Sequence, residues 1–119
     1  MTAPIEESDA RLDCFLDHVT APLANATQRG VFAEYAIGLL SDAERKSMEP
    51  LAAQARPEAP GAAHKAFVYF TAIAQWDDCT IRRHAAAWAL WGMTATGPVR
   101  GTIVDATGLL KQGSHSVGV

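Results

Sequence analysis

Cysteine is scarce in this chain: Cys14 and Cys79 are the whole complement, and they stand in no Cys-x-x-Cys spacing. That excludes a disulfide framework or a cysteine-rich zinc module, and both residues are expected to be small buried hydrophobes. The histidines, His18, His64, His84 and His115, are equally dispersed, with none at a recognisable zinc spacing from a cysteine or carboxylate. No apolar run reaches the roughly 18 to 20 residues that span a bilayer. The opening MTAPIEESDARLD is acidic where a secretory leader is basic, so no membrane partner is expected and the cytosol is the expected location. Positive charge is also in short supply. Ten Lys and Arg stand against thirteen Asp and Glu, a net charge of −3. Nonspecific DNA affinity comes mainly from phosphates neutralised by Lys and Arg, so the chain alone should bind DNA poorly. Its short basic groups, Arg45-Lys46, Arg82-Arg83 and Lys111, fit solvated faces.

What is present is apolar and helix-prone. With 119 residues, 49 % of them hydrophobic, the chain can bury the core of one small domain. Alanine is dense between residues 52 and 95, and alanine loses the least side-chain entropy in a helix. Leu12, Phe15, Leu16 and Val19 fall at helical spacing and predict a helix over about 8–19, ended by Pro22. Val31, Phe32, Tyr35, Ala36, Leu39 and Leu40 give a broad apolar side to a second helix over about 27–41, in which Gly38 can admit a close neighbour. Ser41 followed by Glu44 has the form of a capping box, which predicts a third helix from about Asp42, kinked or shortened by Pro50, with Met48, Leu51 and Ala52 inward.

Residues 56–61 hold two prolines and a glycine and predict a loop. In 62–75, Ala66, Phe67, Phe70, Ile73 and Ala74 favour a helix, with a short strand around Val68-Tyr69 as the alternative. Asp77 or Asp78 caps a last helix that carries Ile81, Ala85, Trp88 and Trp91 on one face and ends near Gly92. Trp76, Trp88 and Trp91 could stack on unpaired bases, but their spacing favours core packing. A helix-turn-helix across Leu39-Leu40-Ser41-Asp42 is a minor reading, since its second helix would carry Asp42, Glu44 and Glu49 beside only Arg45 and Lys46.

After Thr94–Pro98 the pattern changes. Gly101-Thr102-Ile103-Val104 is short, β-branched and apolar, as a buried strand would be, and Asp105 stands at its C-terminal end. A carboxylate there is held rigidly by a sheet while facing an open edge, which suits a metal ligand; Asp is also common in turns. No Asp or Glu follows it in these 119 residues.

The string IVDATGLLKQGSHSVGV resembles the segment around the first acidic residue of one branch of the DDE-superfamily transposases. There a strand ends in Asp, any residue and Thr-Gly, followed by Lys, Gly and Ser-Val-Gly-Val. The matching positions are Asp105, Thr107, Gly108, Lys111, Gly113, Ser116, Val117, Gly118 and Val119. Residues 32–55 look like the helical N-terminal segment of the same proteins, and Gln75-Trp76-Asp77-Asp78 is similar to their Trp-Asp segment. Ala106 departs from the family's frequent second acid, and Leu109 from its usual aromatic.

The resemblance implies a mainly α chain: a helical N-terminal transposase region over 1–97, then over 98–119 the first one or two strands of an incomplete ribonuclease-H-like catalytic domain. It implies Mg²⁺-dependent DNA strand cleavage and transfer by two Asp and one Glu. Asp105 is then the first catalytic and metal-ligating residue, Lys111 a DNA contact, and transposon-end DNA the partner. With the second and third acids missing, the expectation is a truncated insertion-sequence transposase, inactive alone and able to associate with itself or with a full-length transposase. The alternative is a noncatalytic DNA-binding or dimerisation module derived from one.

Overall fold

The computed structural model describes residues 4–106 and residue 108, and its regular structure among those residues is helical. Five α-helices follow one another: α1 (Pro4–Thr20), α2 (Ala26–Leu40), α3 (Met48–Ala55), α4 (Pro60–Val68) and α5 (Asp78–Met93), with a π-helical turn at Tyr69–Ile73 between the last two. α3 and α4 form the tightest pair, α2 lies against both, and α1 bridges α2 to α5. The core sits where α2, α3, α4 and the π turn converge. Leu51 and Phe67 are fully buried there, surrounded by Val31, Ala52, Ala63 and Phe70 and continuous with Val19, Leu23 and Ile81.

Local chemistry explains most boundaries. α2 starts at Asn25, whose side chain accepts from the Gln28 amide at 2.9 Å, satisfying one of the donors that a first turn leaves unpaired. α4 starts with Pro60 at its first position, where the missing N–H costs nothing and the fixed φ suits the helix. The expected loop thus shrinks to residues 56–59. α2 closes on Ser41, whose backbone N–H and hydroxyl both donate to the Gly38 carbonyl, the hydroxyl at 2.6 Å.

That last arrangement overturns the expected capping box. Ser41 ends α2 instead of starting a helix, and its hydroxyl is already committed to Gly38. Lys46 folds back to donate to the Ser41 carbonyl, so residues 41–47 form a connection stabilised by local polar contacts. α3 begins at Met48, which places Pro50 in its first turn, where no intrahelical N–H is required and no kink results. The connection is longer than the three or four residues of a helix-turn-helix, and α3 contains Glu49 and no Lys or Arg, so the minor helix-turn-helix reading is corrected.

Gly38 does admit a close neighbour. A Cβ placed on it would stand 3.3 Å from Leu51 Cδ2, so the bare backbone of α2 is what lets α3 approach. Arg56, just past α3, donates two hydrogen bonds to Glu34 of α2, at 2.8 and 2.7 Å, and this partner holds its guanidinium even more firmly protonated than usual. The π turn closes with the Ala74 amide donating to the Tyr69 carbonyl at 2.8 Å. It turns the chain so that Trp76 stacks on Phe70, with ring centroids 5.0 Å apart and planes within 8°, and the indole N–H reaches the Phe70 carbonyl at 3.0 Å. The short-strand alternative for this segment is thereby set aside.

Several side chains lie further out than their patterns imply. Cys14 and Cys79 are both exposed, not buried; Cys14 lies at the open groove between α1 and α5, which the two helices do not close. Leu39 and Leu40, at the end of α2, extend past the reach of α3 and face solvent. Trp76 and Trp88 are half-buried, whereas Trp91 is 71 % exposed, since α1 covers one side of α5 only.

Candidate active site around Asp105

Asp105 reaches its position through the end of α5. Thr94 closes that helix, with its hydroxyl donating to the Leu90 carbonyl at 2.8 Å, and Gly97 donates to the Thr94 carbonyl at 3.3 Å to complete a turn. From Pro98 to Ala106 the chain carries no regular secondary structure. Ile103 and Val104 are 95 % and 93 % exposed, and Asp105 beside them is exposed as well. The buried strand expected at residues 101–104 is therefore not formed. A strand's backbone groups need a paired neighbour and its apolar side chains need a covering layer, and the described residues supply neither.

Lys111, the expected DNA contact, lies outside the described residues, as does the Ser116–Val119 motif. Among the described residues no group of three His, Cys, Asp or Glu is placed to hold a metal ion, so these residues by themselves do not form a divalent-metal site around Asp105. Two of the other basic candidates are used locally. Arg82 pairs with Asp78 one helical turn away, at 3.1 Å and largely exposed, and Lys46 is folded onto Ser41. Among the described residues no helix is long and apolar enough to cross a membrane.

The most developed polar geometry lies toward the end of the α1–α5 pair where α1 finishes and α5 starts. At the start of α5, Asp77 accepts from the Thr80 hydroxyl at 2.6 Å and from the Thr80 amide at 3.2 Å. Those two bonds, with smaller help from the Cys79 amide and from Arg83, hold its carboxyl below the usual range. Further along, the His18 and His84 rings meet with centroids 5.3 Å apart. His18 Nε2 lies 3.2 Å from the His84 carbonyl, and its ring stands 5.3 Å from Trp88. These histidines are 66 positions apart in sequence, and nothing in their local pattern marks them as neighbours.

The architecture is a small helical domain whose last helix leads into an exposed, β-branched segment ending in a carboxylate. A family model described as DDE superfamily endonuclease matches residues 14–119, nearly the whole chain. The chain belongs to that family. Neither the curated proteins nor the solved structures contain a match to it.

Proposed function

We propose that the chain serves DNA transposition, as the helical N-terminal region of an insertion-sequence transposase followed by the opening of its ribonuclease-H-like catalytic domain, over 1–97 and 98–119. The observation that carries this reading is the family match running through Ile103-Val104-Asp105. Asp105 is the first catalytic carboxylate and Lys111 a contact to transposon-end DNA.

Mg²⁺ in such an enzyme supplies charge stabilisation for attack on a phosphodiester. Asp105 would be one ligand. The further carboxylates have to come from outside residues 105–119, which contain no other Asp or Glu. For this chain's own residues the role is structural: the helices carry the β-branched segment to a place where neighbouring strands can pair with it and fix Asp105.

The experiment is a nicking assay on transposon-end duplex with Mg²⁺. The 119 residues alone are expected to leave the duplex intact. Joining them to a chain that supplies the missing acids should give cleavage that Asp105→Ala removes. Cleavage that survives Asp105→Ala would overturn the assignment of the residue, and Asp105-dependent nicking by the chain alone would overturn its inactivity.

A second reading, a noncatalytic DNA-binding or dimerisation module derived from such an enzyme, is favoured on its dimerisation side by one observation, the apolar side of α5 that is exposed among the described residues.

A further inference from the structure

The one helix that α5 packs against among the described residues is α1, and a pair of histidines lies in that contact. Both rings are half-buried, with centroids 5.3 Å apart. His84 Nδ1 lies 3.0 Å from the Thr80 carbonyl, and His18 Nε2 lies 3.2 Å from the His84 carbonyl. A carbonyl oxygen only accepts, so these contacts assign the ring N–H to Nδ1 in His84 and to Nε2 in His18. Nε2 of His84 and Nδ1 of His18 each keep a lone pair. Neither ring takes a second hydrogen bond or an ion pair among the described residues.

We propose that His18 and His84 bind one transition-metal ion of the zinc class between them, clamping α1 to α5. The ring separation suits such an ion. Two imidazoles on one tetrahedral centre, each nitrogen about 2.0–2.1 Å from it, stand with centroids roughly 5 Å apart, close to the 5.3 Å found here. The hydrogen bonds suit it as well. A metal-bound histidine characteristically gives its other N–H to a carbonyl or carboxylate, which fixes the tautomer and the ring plane, and both histidines already have that partner. Imidazole nitrogen favours zinc, copper and nickel over Mg²⁺, which takes oxygen ligands, so this site is distinct from any Mg²⁺ centre at Asp105. No third His, Cys, Asp or Glu completes a group with the pair among the described residues, so water fills the remaining positions and the ion stays exchangeable. The clamp joins the end of α1 to the first half of α5, the helix that leads toward Asp105.

This inference stands apart from the transposase reading and is tested without DNA. Calorimetric titration of the full chain with zinc chloride at neutral pH should show one saturable site, and magnesium chloride none. Zinc should shift the NMR ring protons of His18 and His84 ahead of those of His64, a readout that needs no variant. His18→Gln and His84→Gln keep an N–H for the carbonyls but lose the imidazole. Each should lose the zinc site, and with it the zinc-dependent rise in melting temperature, while keeping the wild-type helical circular dichroism. Cys14→Ser, His64→Gln and Asp105→Ala should all retain the site. A wild-type chain without saturable zinc binding would overturn the proposal. So would binding undiminished in both Gln variants, ring-proton shifts confined to His64, or a site lost on replacing Cys14, His64 or Asp105.

Discussion

Asp77 holds the start of α5 with both carboxylate oxygens, one on the Thr80 hydroxyl and one on the Thr80 amide. The ionised form accepts both bonds more strongly than the protonated one, so its affinity for protons falls on folding. The sign follows from linkage: a carboxyl depressed in the folded state adds stability above its ordinary value of 3.8, and that contribution is lost as pH falls through the lower folded value. An NMR titration of the Thr80 amide should therefore show a step below pH 3.8, absent in Asp77→Asn, which keeps a capping oxygen but cannot titrate. The same step in the variant would assign it to another group. Asp105 is the contrasting residue. Its carboxylate is exposed, so Asp105→Ala should leave the melting temperature of the chain unchanged in calorimetry, whatever it does to cleavage in an assembled enzyme.

At the scale of elements, the α2–α3 contact depends on a residue with no side chain. Gly38→Val would place methyl groups against Leu51, and overpacking of this kind costs about 1–3 kcal/mol. Phe67→Ala empties the centre of the core and should cost about 3–5 kcal/mol, a large share of the ~5–15 kcal/mol of a small domain. Urea unfolding of the two variants checks both values and their order. The helices themselves are legible in sequence wherever apolar period and cap agree, as at Asp77, or where the period alone is clear, as along Leu12–Val19; the Asn25 cap of α2 is not among the features the apolar period marks. They were misread where one side chain had two possible uses. Ser41 with Glu44 satisfies the capping-box pattern, but the Gly38 carbonyl lies nearer to its hydroxyl than any following amide. The meeting of His18 with His84 was invisible because it depends on how α1 and α5 cross. The candidate site was legible only as a motif: composition locates Asp105 after a β-branched run, but whether that run becomes a strand depends on partners that local sequence does not specify.

For the molecule as a whole, the first and last helices pair, α1 running against α5 so that Phe15 meets Trp88 and His18 meets His84. Everything from α2 to the π turn lies inside the loop which that pairing closes. Within the loop, α2, α3 and α4 connect through short segments and share the fully buried Leu51 and Phe67, whereas α5 contributes one buried residue, Ile81. Joining α1 to α5 incurs the closure entropy of a long intervening chain, offset by the single helix–helix contact that α5 makes among the described residues. The cooperative unit is thus divided, and α5 should peel away from an otherwise intact α2–α4 block at a lower free energy than global unfolding. Native-state hydrogen exchange will read this directly. Amides of α5 are expected to exchange well ahead of those in α3 and α4. A helix that opens in this way can change its neighbours without the rest of the domain unfolding.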